Sequence, residues 1–183
     1  MELIKQNSQT RIFKSLIVIF LGSILLAISA KVKIPFYPVP MTMQTFVVLF
    51  LGLSFGYKIG LATVSLYLIE GIIGLPVFSN SPERGIGLVY FTGPTMGYLI
   101  GFLFASLLAS FIKMEDNYVI IFLKLLLSVS TIYILGILWL GVIIGWDKPL
   151  IELGVTPFLL AEISKITLLT ILAKKMFIIR KFI

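Results

Sequence analysis

Long apolar runs, broken by short clusters of charge, proline and glycine, organise this chain. A helix that crosses a bilayer needs about 20 mostly apolar residues. Residues 12–30 form the first such run, with only Lys14 near its start. A short run covers 41–55, and others follow at 57–75, 94–112 and 118–146. The last, 157–179, carries several charges, of which Glu162 and Lys165 lie deepest. The pattern predicts an all-α integral membrane protein, a six-transmembrane-helix bundle, with residues 1–183 as one domain. No internal repeat is visible, and no linker is long enough to separate two domains. The first run also has a basic start and a small-x-small site, Ala27-Ile28-Ser29, as a cleavable signal would. Its removal would leave five spans and upset the charge asymmetry, so it is expected to stay as a helix.

Composition narrows the class further. Hydrophobic residues make up 59% and charged residues 13%, against roughly 45–50% and about 25% in soluble domains. Mean hydropathy is +1.11. The excess of Lys and Arg, 15 against 8 acids, would suit nucleic acid in a soluble chain. Here the basic residues sit between apolar runs, as topology signals do, so no nucleic-acid partner is expected. Lys5, Arg11, Lys14, Lys58, Lys113, Lys124, Lys174, Lys175, Arg180 and Lys181 fall on one side, and Lys31, Lys33, Arg84 and Lys148 on the other. This bias predicts a multi-pass membrane protein with both termini cytoplasmic.

Helices in lipid approach closely through small residues. Gly97, Gly101, Ala105 and Ala109 recur every four residues in the fourth run and are expected to pack inside the bundle. Ser23 and Ala27 give the first run a smooth face, suited either to internal packing or to a partner helix.

Candidate chemistry lies in three connections. Residues 31–40 hold Pro35, Pro38 and Pro40, which favour an extended segment. Residues 74–97 are too long for a turn and rich in apolar and aromatic groups, which suits a folded cap over a cavity. Glu162 and Lys165, three residues apart, share a helix face. Charges inside a span cost about 2.5–3.5 kcal/mol each at its centre. Either the two neutralise each other, or they face a polar pocket. Glu70 lies nearer the membrane surface and has a structural reading, while Gln44 can face the same cavity. With Asn80, Phe78 and Tyr90, these groups suit a small amphipathic molecule with an amide-like head and an acid tail. There is no His, no Cys and no Walker A sequence. No cofactor, metal site or enzymatic activity is expected, and any ATP-driven step needs another subunit.

Three stretches, Val39-Pro-Met-Thr-Met-Gln-Thr45, Gly74-Leu-Pro-Val-Phe78 and Gly93-Pro-Thr-Met-Gly-Tyr-Leu-Ile-Gly-Phe102, together resemble the BioY family. The resemblance implies a biotin-specific substrate-binding component of a prokaryotic energy-coupling-factor transporter. It implies an outward-facing pocket, with a transmembrane coupling subunit and an ATPase pair as partners. It also implies substrate-binding roles for Glu162 and Lys165, where the acid-x-x-Lys spacing matches although the family more often has Asp. Asn80 matches the polar loop position, and Arg84 is the arginine available on that loop. Ser23 and Ala27 match the small residues through which family members dock on the coupling subunit. The alternatives are the same fold tuned to another vitamin, or a membrane scaffold subunit without a ligand.

Overall fold

The apolar runs fold into helices that pack around one broken helix. In a computed structural model of the chain, residues 2–180 are described, with side chains from residue 9 onward. Lys181 and the side chain of Lys5, both used in the charge count, lie outside the described residues. Helix α1 spans Glu2–Lys31. It leads into a two-stranded antiparallel ribbon, β1 (Lys33–Ile34) and β2 (Met41–Thr42), paired Lys33 to Thr42 and Ile34 to Met41. The prolines keep the intervening loop extended, and Pro38, Val39 and Pro40 are buried against the bundle.

Helix α2, Gln44–Ile72, is interrupted at Gly56, where φ is 77° and ψ is 178°. That backbone is open to glycine and strained for other residues. The two arms fold back on each other. Gln44 Nε2 donates to Tyr67 Oη at 2.7 Å, whereas a straight helix would hold residues 44 and 67 about 35 Å apart. A Cβ on Gly60 would come within 3.2 Å of Gly52 Cα, so small residues let the arms close near the turn. The expected runs 41–55 and 57–75 are therefore two arms of one helical hairpin.

A loop containing the short helix α3 (Leu88–Phe91) leads to α4 (Met96–Ala109). The small-residue face of α4 packs inside the bundle, against α5 (Tyr118–Ile144) and α2. A Cβ on Gly101 would come within 2.6 Å of Ile132 Cα, so only glycine permits this backbone approach. Asn117 caps α5, its side chain accepting from the Ile120 N–H. Helix α6 (Leu150–Gly154) and a 3-10 turn (Thr156–Phe158) turn the chain into α7 (Leu159–Arg180).

Helix α2 meets α1, α4 and α7, and α5 meets α4 and α7. In the apolar window of α2, 61% of residues are buried, against 22% in α1. The outer faces expose Phe13, Phe20, Leu127 and Ile171, as lipid-facing helices do. Four helical segments are long and apolar enough to cross a membrane: Gln9–Lys31, Gln44–Ile72, Tyr118–Ile144 and Leu150–Arg180. Met96–Ala109 is apolar but shorter.

Candidate binding site

The first two turns of α7 place an acid and a lysine inside the bundle. Glu162 is 5% exposed and Lys165 8%. Lys165 Nζ donates to Glu162 Oε1 at 2.7 Å, to the Thr42 carbonyl at 2.7 Å and to Thr45 Oγ1 at 3.0 Å. An ammonium has three donors, so all of them are used within the protein. The Thr45 hydroxyl donates to Glu162 Oε1 at 2.7 Å. Glu162 thus has one oxygen held by two donors, while Oε2 is buried and has no hydrogen-bond partner among the described residues. The carboxylate also sits in the first turn of α7, where the helix dipole favours negative charge.

Glu162 lines a partly open cavity of about 50 Å³, room for a few water molecules. Gln44 and Thr45 from the start of α2 line it too, with Tyr90, Tyr98, Tyr133 and Phe158 as aromatic walls. Gln44 is fixed by its bond to Tyr67, whose hydroxyl is 3.2 Å from the Val77 carbonyl. Tyr98 Oη donates to the Gly154 carbonyl at 3.0 Å, which ties α4 to the approach to α7.

The long loop covers this end of the bundle. Phe78 is buried and stacks on Tyr90, with ring centroids 4.6 Å apart. Phe78 therefore supports a wall of the cavity from behind. Three cations clamp the loop to the ribbon. Lys31 Nζ donates to the carbonyls of Phe78 (2.8 Å) and Ser81 (2.7 Å). Lys33 Nζ donates to the Ser79 carbonyl (2.8 Å) and Asn80 Oδ1 (2.9 Å). Arg84 Nη1 donates to the Pro38 carbonyl at 2.7 Å, and its guanidinium lies 5.5 Å from the Tyr37 ring centroid.

The fold thus brings Gln44, Tyr90 and Glu162 to the cavity wall, with Phe78 and Lys165 directly behind. Asn80 and Arg84 belong to the clamp over it. Ser23 is fully buried and donates to Glu70 Oε1 at 2.8 Å, so Ser23 faces the bundle interior. Ala27 is half-buried against the core. Among the described residues no group of acids could hold a metal ion.

The BioY family model matches residues 4–181. This chain belongs to the BioY family. Its relatives include a probable biotin transporter BioY of Pyrococcus horikoshii, 33% identical over 88% of this chain and 94% of the relative. The biotin transporter BioY2 of Lactococcus lactis subsp. cremoris is 34% identical over 86% of each chain. The biotin transporter BioY of Thermotoga maritima is 29% identical over 83% of this chain and 89% of its own. The fold matches the crystal structure of an S-component for biotin from an ECF-type ABC transporter. The TM-score is 0.76 at 24% identity, covering 91% of this chain and 92% of that one. The protein is thus a multi-pass membrane protein of the BioY type.

Within this BioY site, sequence reasoning passed over Thr45, Thr42 and Tyr133. A hydroxyl beside Gln44 at the head of an apolar helix, and a tyrosine in the middle of the apolar run of α5, were the available signals. Thr42 contributes a backbone carbonyl, which no side-chain pattern announces.

Proposed function

We propose that this protein is the membrane-embedded biotin-binding component of a vitamin uptake system, and not an enzyme. The observation that carries the reading is Glu162 Oε2, a buried carboxylate oxygen on the wall of a cavity, with no partner of its own. A ligand with N–H donors satisfies it, and the cyclic urea of biotin has two. The aromatic walls suit the fused thioether ring. Lys165, its donors all occupied, holds the carboxylate in place instead of touching the ligand. Asn80 and Arg84 lie on the covering loop, suited to meet the valerate carboxylate at the mouth. A fused bicyclic head needs more room than a few water molecules. Entry therefore moves the loop outward and breaks clamp bonds from Lys31, Lys33 or Arg84.

In this reading residues 1–183 form one membrane domain with six crossings: α1, the two arms of α2, α4, α5 and α7. The shorter segments are completed by the ribbon and loop at the cavity end. Arg11, Lys58 and Arg180 gather at the opposite end, which is the cytoplasmic end by the excess of basic residues there. The host membrane is the prokaryotic plasma membrane. A transmembrane coupling subunit and an ATPase pair supply the energy, since the chain has no nucleotide-binding sequence of its own. Ala27 is the candidate small residue for docking that subunit, Ser23 being turned inward.

The test is equilibrium binding of labelled biotin to purified, folded protein, beside a panel of other vitamins. Saturable binding of biotin alone is expected. Preference for another vitamin would reassign the ligand, and no binding to any of them would leave a scaffold role. Tags at either terminus that react from outside intact cells would overturn the topology.

A further inference from the structure

A second and larger cleft, about 640 Å³, opens at the end of the bundle opposite the cavity. It lies between the third to fifth turns of α1, the Gly56 turn of α2 and the last turn of α7. Arg11, Lys58 and Arg180 line it, and no acid does among the described residues. A Cβ on Gly56 would strike the Arg180 guanidinium, so glycine at the turn lets that group lie over it. Arg180 Nη2 donates to the Ser110 carbonyl at 3.2 Å. That bond uses one of five N–H donors and fixes the planar group beside the cleft. Lys58 is exposed. Apart from Ser15 and Tyr57 the remaining wall is apolar, with Ile12 and Leu16 each 58% exposed along α1 and Ile19, Phe55 and Ile59 beside them.

We propose that this cleft binds the headgroup phosphate of an anionic phospholipid, with an acyl chain lying along Ile12, Leu16 and Ile19. The cations sit where the apolar part of α1 begins, at the level of a headgroup, and the apolar wall runs from there into the hydrocarbon. Arginine and lysine together recognise a phosphate by paired N–H donors and by charge. An anionic headgroup leaves that phosphate uncompensated, whereas a choline headgroup carries its own cation. The inference stands on this end of the molecule alone and does not depend on the ligand of the cavity.

The experiment is native mass spectrometry of the full chain released from nanodiscs of equal phosphatidylglycerol and phosphatidylcholine. Wild-type protein is expected to retain phosphatidylglycerol preferentially. A basic residue near an anionic headgroup is worth about five-fold in affinity, so Lys58→Gln is expected to lower retention about five-fold, and adding Arg180→Gln about twenty-five-fold. Lys148→Gln, at the other end, is expected to change nothing. Equal retention of the two lipids by wild type, or unchanged retention by Lys58→Gln, overturns the proposal. If Arg180→Gln does not fold, Lys58→Gln alone decides, because its side chain is exposed. Loss of a copurifying membrane protein with lipid selectivity intact would assign the cleft to a protein partner and also overturn it.

Discussion

Two acid–lysine pairs in this protein have the same chemistry and different surroundings. Glu162 and Lys165 keep only 6% and 8% of their side chains exposed. Lys124, in the second turn of α5, and Asp116, in the turn before it, keep 37% and 14% exposed. Asp116 accepts from the Lys113 backbone N–H as well as from Lys124, so it closes a turn next to water. Lys165 instead spends every donor on the bundle interior, and its partner acid keeps a free oxygen beside a cavity. The same two charges serve local structure where water shares them, and under the proposed function become a binding group where they are buried beside a cavity. The physical reason is desolvation: a buried carboxylate left unsatisfied costs free energy that a ligand's donors recover.

The largest test of that contrast is to remove each lysine. Lys165→Met leaves Glu162 as an uncompensated buried charge, and thermal unfolding in detergent should show a loss of about 3–5 kcal/mol. Lys124→Met should cost under about 1 kcal/mol, as exposed pairs do. Equal losses would mean that burial does not separate the two pairs.

Glu162→Gln sharpens the functional half. Its amide NH₂ would point a donor where an acceptor is needed, and labelled biotin should bind about ten- to a hundred-fold more weakly. The double variant Glu162→Gln/Lys165→Met removes both charges and should regain much of the stability lost by Lys165→Met alone. Its biotin affinity should stay low. Wild-type affinity in the double variant would make the pair a self-neutralising structural bridge and remove it from the site.

The smallest effect concerns pH at the exposed pair. The Lys113 backbone N–H first, and the Lys124 ammonium second, hold the Asp116 carboxyl below its usual value of 3.8. The folded pKa is thus below the unfolded one. Stability from this group is present above 3.8 and fades as pH falls through the folded value. Asp116→Asn should therefore melt slightly below wild type at neutral pH, and the two melting curves should converge in strong acid. A gap that persists there would mean that Asp116 acts through packing and not through its charge.

How much of this was legible beforehand differs from residue to residue. The apolar runs announced α1, α5 and α7, because a span in lipid has no polar face to hide the signal. The four-residue spacing of Gly97, Gly101, Ala105 and Ala109 announced a close helix contact, and α5 is what fills it. The spacing of Glu162 and Lys165 announced a shared face. It left open whether the pair was a closed bridge or part of a pocket, since that depends on what Thr42 and Thr45 contribute from the other end of the chain. Ser23 read as part of a smooth face that could turn inward or outward, because its size fits either side of a helix, and only the packing of α1 on α2 turned it toward Glu70.

The sequence by itself determined the membrane class and the predominance of helix, for these follow from local hydrophobicity. The tertiary structure decided which atoms are left without partners. Residues separated by more than a hundred positions meet at Lys165, and three cations from α1, the ribbon segment and the loop close over them. A free carboxylate oxygen is the remainder after all those bonds are made, so it exists only once the chain has folded.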